Sequence, residues 1–224
     1  IKAGEQFVIQ KPDAIIGETE TTVTVSPVPS LDLRPAVDRL MTFPYGCVEQ
    51  TSSRIAPMLF AANLFDGGRA EYLRRLVDVG LDRLASMQTA SGGLAYWPGN
   101  RNPYMWGTCY ASLIIAEATS AGHKATRIDQ KALATYLARS LKEENPGLNE
   151  QALLCRVLAV FNQPELARQS FLLSRLDELD VAGRAHLAAA WLESGRRDQA
   201  VLALPDDTLH LKPTVRSTSR RLTS

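Results

Sequence analysis

Tyr72-Leu73-Arg74-Arg75-Leu76-Val77-Asp78-Val79-Gly80-Leu81-Asp82-Arg83-Leu84 places Tyr72, Leu73, Leu76, Val77, Leu81 and Leu84 among charged residues. On a helix these apolar side chains gather into one stripe, whereas on a strand they scatter over both faces. Leu133, Tyr136, Leu137 and Leu141 repeat the pattern farther along. From Ser30 onward the helical period persists, with Pro and Gly between segments instead of inside most of them. The spacing predicts about nine helices, near 33–42, 47–63, 69–89, 104–121, 128–142, 148–161, 164–176, 181–193 and 196–203. Turns such as Phe161-Asn162-Gln163-Pro164 and Ser194-Gly195 are short enough to pair neighbours as helical hairpins.

Upstream the period changes to two. Phe7 and Ile9 share a face, and Thr22-Val23-Thr24-Val25 alternates before Pro27 and Pro29 stop it. Two strands joined near Gly17 cannot fold alone, so they are expected to belong to a sheet completed by sequence outside this chain. The polar, basic stretch from Arg216 to Ser224 reads as a frayed end or a loop.

Composition narrows the function classes. With 224 residues and 45% apolar side chains, a packed core needs no disulfide staples. Lys and Arg number 25 against 24 Asp and Glu, a net charge of +1, so no nucleic-acid partner is expected. Apolar runs such as Ala111 to Ala116 fall far short of the roughly 20 residues that span a bilayer. Cys47, Cys109 and Cys155 form no C-x-x-C pair, and His123, His186 and His210 have no partner at i+3 or i+4. Neither a metal site nor a cofactor is therefore expected. Cys109 and Cys155 lie in apolar helical stretches and read as buried, inert thiols.

The sharpest local feature is Pro44-Tyr45-Gly46-Cys47-Val48-Glu49-Gln50, at a predicted helix start. A spacing of three puts Cys47 and Gln50 on one helical face. The free N–H groups and dipole of a helix N-terminus favour a thiolate there, and the Gln50 carboxamide offers an electrophilic carbon beside it. Attack expels ammonia and leaves an internal thioester. Gly46 permits a tight backbone turn just before the Cys. The alternative is a Cys that only caps or packs at the helix start, beside a solvated Glu49-Gln50 pair; as a helix-start residue Cys47 is expected to be partly exposed and to contribute little packing.

The longer string from Phe43 to Gln50, followed by Thr51-Ser52-Ser53-Arg54 and Pro57, closely resembles the thioester region of the α2-macroglobulin and complement family, its bacterial branch in particular. Leu33-Arg34-Pro35-Ala36 leading to Leu40 resembles the first helix of that family's thioester domain. The stretch from Gln88 to Gly99 and the string Trp106-Gly107-Thr108-Cys109-Tyr110-Ala111 resemble its downstream Gly/aromatic loop and following helix. The resemblance covers about residues 30–145. It implies a mainly α fold: an α/α toroid of helical hairpins over 30–224, incomplete at its C-terminal side, preceded by a short β segment, 1–29, from a CUB-like domain. It further implies Cys47 and Gln50 as the cross-linked pair, with Pro44, Tyr45, Gly46 and Glu49 as motif support.

The function implied is that of a covalent protease trap. A protease cleaves a bait segment elsewhere in the parent protein, and one of its amines then attacks the Gln50 acyl carbon. Such a reaction is single-use inhibition and not enzymatic turnover. Proteases and other domains of the same parent are the implied partners, in the periplasm or cell envelope. Tyr96, Trp97, Tyr104 and Trp106 either line a dry pocket around the bond or fill the end of the toroid. In some family members a His about 110–120 residues beyond the Cys steers the bond toward hydroxyls; here Phe161, Asn162 and Gln163 occupy that place, which favours amines. His186, in the apolar stretch Ala185 to Trp191, reads as half-buried, and it is expected on a helical pair near the bond.

Two rival classes remain open at this stage. The stretch from Gln88 to Trp97 also resembles a turn recurring in terpene cyclases, which are toroids too, but Asp206-Asp207 after Pro205 reads as a turn and not as their acid. A glycosidase needs two carboxylates across a cleft, and Glu117, Glu143 and Glu144 are candidates only by residue type. The third class is an inert helical interaction scaffold.

Overall fold

The computed structural model describes residues 46–204 apart from 64, 66, 144 and 145, all within one compact unit. The predicted strands over 1–29, the helix near 33–42, Pro44, Tyr45, Glu144, Asp206-Asp207, His210 and the stretch 216–224 lie outside the described residues.

The described part is mainly helical. Eight α-helices follow one another: α1 Val48–Ala61, α2 Gly67–Ala85, α3 Met105–Ser120, α4 Gln130–Glu143, α5 Leu148–Val160, α6 Leu166–Leu173, α7 Val181–Glu193 and α8 Arg197–Ala203, with one 3₁₀ turn at Leu176–Glu178. Two segments are shorter than their apolar spacing predicts. The helix expected to reach 89 stops at Ala85, because Gln88 turns its side chain onto distant backbone: Nε2 donates to the carbonyls of Gly92 (3.0 Å) and Asp129 (2.9 Å). The segment expected to reach 176 stops at Leu173 and continues as the 3₁₀ turn.

The stripe of α2 packs as its spacing predicts: Leu73, Val77, Leu81 and Leu84 are fully buried or nearly so, while Tyr72 is exposed. Helix α5 is buried almost all round, with Ala152, Leu154, Cys155, Val157 and Leu158 out of solvent. It packs against α3, α4, α6 and above all α7, which in turn carries α8. Helix α1 packs against α2 and α3.

Three helices end in the same way. Past α3, α5 and α7 the residues Gly122, Asn162 and Gly195 take positive φ (93°, 58° and 72°), and the N–H groups of His123, Gln163 and Arg196 return to the carbonyls of Ala118, Leu158 and Trp191 at 2.9 Å each. This doubly bonded ending satisfies carbonyls that a helix terminus otherwise leaves orphaned, and it reverses the chain within a few residues. No helix among the described residues is long and apolar enough to cross a membrane.

Candidate functional site

Cys47 is the N-cap of α1, with extended backbone (φ −67°, ψ 177°), and Gln50 is the third helical residue. The carboxamide folds back so that Gln50 Oε1 accepts the Cys47 N–H at 3.2 Å. This is the return arm of a capping box, and it satisfies one orphan donor of the helix start. Because the bond runs to the backbone of Cys47 itself, the Gln50 carbonyl carbon lies beside the cysteine, with its oxygen already on an N–H donor. Cys47 is only 2% exposed, a correction to the expectation of a partly exposed thiol, whereas Gln50 is exposed. The burial arises because Val48, Ile55 and Met58 draw the helix start into the core.

Gly46 explains its own presence. A Cβ there would stand 2.8 Å from Gln50 Cβ and 3.3 Å from the Thr51 nitrogen, so any larger residue would push the Gln away from the Cys. The Gly46 carbonyl accepts from Thr51 Oγ1 at 3.4 Å and has Arg83 Nη2 of α2 at 3.5 Å.

The stretch 86–104 between α2 and α3 completes the site. Its turn is pinned at its base by Gln88, whose Oε1 accepts the Asp129 N–H at 2.9 Å. Gly92 has φ +96°, and a Cβ there would strike the Ala132 carbonyl of α4. Thr108 of α3 then clamps the returning strand-like segment: its Oγ1 accepts the Leu94 N–H (2.9 Å) and lies 2.8 Å from the Tyr104 carbonyl, to which it donates. Held in this way, Tyr96 presents its carbonyl to the Val48 N–H at 3.1 Å, satisfying a second orphan donor of α1.

The four aromatics expected near the bond are brought together beside α1. Rings run in sequence from Trp97 to Tyr96 (5.7 Å), Tyr104 (5.5 Å), Trp106 (6.4 Å) and Tyr110 (5.4 Å), most in edge or tilted contact. Each tyrosine of the row meets a different residue of the helix. Tyr96 lies beside the helix start, where the neighbouring Cys47 side chain and then Glu49 push its phenol pKa up. Tyr104 donates to Glu49 Oε1 at 2.9 Å, which likewise raises its own pKa. Tyr110 and Ser53 share a hydrogen bond of 3.2 Å. Tyr96, Trp97 and Trp106 are 40%, 43% and 46% exposed, so among the described residues the row forms an open wall.

Other candidates stand apart. Cys109 and Cys155 are buried, and burial pushes both thiols up to about 12, so neither is a nucleophile at neutral pH. His186 is half-buried on α7, within 3.3 Å of Arg156 of α5, on a helix that packs chiefly against α5 and α8 and not on the helices that carry Cys47 and the aromatic row. Glu117 and Glu143 are exposed on α3 and α4. The residues missing from the sequence-based expectation are Thr108, Arg83 and Tyr110. Of these Thr108 and Tyr110 left a trace, both standing in the string Trp106 to Ala111 on a helix that opens with aromatics, whereas Arg83 left none.

No family model matches the chain. It is 34% identical over 110 residues, 46% of its length, to "Alpha-2-macroglobulin" of Escherichia coli, and 41% identical over 76 residues, 34% of its length, to "Alpha-2-macroglobulin" of Thermotoga maritima. It spans only 7% and 5% of those proteins. Among solved structures, the Salmonella alpha-2-macroglobulin reacted with methylamine superposes with a TM-score of 0.66 at 25% identity, over 79% of this chain and 13% of that one. The native Escherichia coli fragment that runs to the C-terminus gives the same TM-score at 24% identity, over 79% of this chain and 30% of that one. In sequence and in structure alike, the homologues of this chain are thus bacterial alpha-2-macroglobulins.

Proposed function

We propose that this chain is the thioester-bearing region of a bacterial covalent protease trap. Cys47 Sγ bonds to the Gln50 carboxamide carbon, the C–N bond breaks, and ammonia leaves with the thiol proton. The observation that carries this reading is the hydrogen bond from the Cys47 N–H to Gln50 Oε1 at 3.2 Å. It sets the electrophile beside the nucleophile and places a donor on the oxygen where negative charge develops during attack. The fold reading that goes with it is an α/α toroid over 30–224, incomplete at its C-terminal side, preceded by a CUB-like β segment over 1–29.

In the parent protein, cleavage of a bait segment by a protease exposes the bond, and an amine of that protease attacks the Gln50 acyl carbon. The protease becomes tethered through an amide while Cys47 departs as a free thiol. The event occurs once per molecule, so the protein acts as an inhibitor and not as a turnover catalyst, and it uses no cofactor. The setting is the periplasm or cell envelope, where foreign or host proteases are met. No base stands at Phe161, Asn162 and Gln163 to activate a hydroxyl, so amines are the nucleophiles.

The test is the intact mass of the full-length protein. Thioester formation removes ammonia, about 17 Da, and methylamine then adds at Gln50. Cys47→Ala should abolish both changes. An unshifted mass in the wild type, or methylamine incorporated at Gln50 in Cys47→Ala, would overturn the proposal.

A further inference from the structure

Between Cys47 and Gln50 in the chain lies Glu49, the second residue of α1, half-buried and held by Tyr104 at 2.9 Å through one carboxylate oxygen, Oε1. Tyr104 belongs to the row of rings that also holds Tyr96, Trp97 and Trp106, each of which is partly open to solvent. A carboxylate fixed by one tyrosine at a site open to solvent attracts cations by its charge, and partly exposed rings in the same row add a surface on which a cation can rest. At neutral pH an alkyl amine is almost wholly an ammonium ion, with a pKa near 10.4 for a lysine side chain. The nucleophile therefore arrives as a cation and must lose protons to react.

Resting on the thioester reading above, we infer that Glu49, positioned by Tyr104, is the docking group for the ammonium form of the attacking amine. It makes the site selective for cationic primary amines, lysine side chains foremost, over neutral nucleophiles of equal reactivity. The ammonium first sits against the Glu49 carboxylate and gives up one proton to solvent. The free amine then attacks the Gln50 acyl carbon, a C–N bond forms, and the C–S bond breaks. As the new nitrogen becomes an amide it sheds a second proton, which protonates the departing Cys47 sulfur. One ammonium ion and one thioester thus give one amide, one thiol and one released proton. Tyr104 engages a single oxygen of Glu49, so the carboxylate is held in place while its second oxygen remains a separate acceptor.

The experiment uses the full-length protein and two small probes. Methylamine is a cation at pH 7.5, whereas hydroxylamine is mostly neutral there. Glu49→Gln keeps an oxygen for the Tyr104 hydroxyl and removes the charge. Its thioester should still form, seen as the loss of about 17 Da, while the ratio of methylamine to hydroxylamine rates falls about tenfold, as expected for one lost charge contact in a partly dry site. Raising salt should lower the methylamine rate in the wild type and leave it nearly unchanged in the variant. If the thioester forms and the ratio stays within twofold of wild type, or both rates fall together, Glu49 does not dock the amine and this inference fails. If the wild type shows neither the mass loss nor an adduct, the thioester reading fails instead. Should Glu49→Gln not form the thioester, Tyr104→Phe, which keeps the charge and releases the carboxylate, must lower the same ratio, and an unchanged ratio there overturns the inference.

Discussion

The start of α1 and the two ends of α5 differ in how far away the partners of their backbone groups lie. At the two ends of α5 the backbone partners are close in sequence: Gly147 N–H donates to Glu150 Oε2 at 3.0 Å, the Pro146 carbonyl accepts from Gln151 Nε2 at 2.7 Å, and the helix closes on Asn162 and Gln163, while the side chains of Asn149 and Arg156 reach out from the helix to Asp180 and His186. Its apolar residues are then buried on nearly every side. At the start of α1 the partners come from afar: Val48 bonds Tyr96, Glu49 bonds Tyr104, Ser53 bonds Tyr110, and Gly46 faces Arg83. Large aromatics stay in solvent there. A segment that only packs can settle its backbone polar groups locally. The start of α1, whose Cys47 and Gln50 are joined locally, takes the rest of its geometry from tertiary structure, because distant elements fix it from several directions.

The comparison breaks most visibly if α5 proves dispensable. Leu154 is fully buried, and Leu154→Ala should cost about 3 kcal/mol in urea denaturation, the usual toll of a large-to-small core change. The folded variant should keep the wild-type ratio of methylamine to hydroxylamine rates. A cost below about 1 kcal/mol would mean that α5 is not the centre of the packing.

Thr108→Val sharpens the other side. The shape is kept, but the Leu94 N–H loses its 2.9 Å acceptor inside the protein and the Tyr104 carbonyl loses a donor. Stability should fall by about 2 kcal/mol, the penalty of a buried donor left unpaired. Hydrogen exchange at the Val48 amide should quicken at the same time, because the segment that delivers the Tyr96 carbonyl loosens. Unchanged protection of Val48 would show that the segment holds its place without Thr108.

The smallest expected effect belongs to α5 and α7. Burial, and after it the Arg156 charge, hold the pKa of His186 below its ordinary 6.5. The unfolded chain therefore takes up the proton first, and stability declines as pH falls through about 6.5 toward the lower folded value. His186→Gln should flatten the fall of Tm between about pH 7 and 5 by a small margin, since the residue is only half-buried. A steeper fall would show that His186 is held charged in the folded protein.

Much of this was legible in the sequence. The stripe from Tyr72 to Leu84 announced α2, and the turns at Asn162 and Gly195 announced helix endings. The helix start at Cys47 was also legible, although Cys47 caps α1 from outside, buried, while Gln50 is exposed. What escaped was whatever depended on distant partners. Apolar spacing carried α2 on to 89, since nothing local reveals that Gln88 spends its side chain on Gly92 and Asp129. The burial of Cys47 was equally hidden, for it follows from how α1 sinks against α2 and α3. Tyr96 and Tyr104 looked like generic lining, and the bonds of the Tyr96 carbonyl to Val48 and of the Tyr104 hydroxyl to Glu49 emerged only once the stretch 86–104 was in place.

The bond from Val48 to Tyr96 also carries a schedule. Chains are made from the N-terminus, and a nascent chain that has emerged only through α2 already contains Cys47 and Gln50 but not the tyrosines and threonine that hold them. Until the segment after α2 has been made and clamped by α3, the thiol and the carboxamide are ordinary neighbours on a fraying turn. The ordered helix start thus arrives only with the finished fold, and under the proposed thioester reading a half-made molecule offers no warhead to the machinery that is making it.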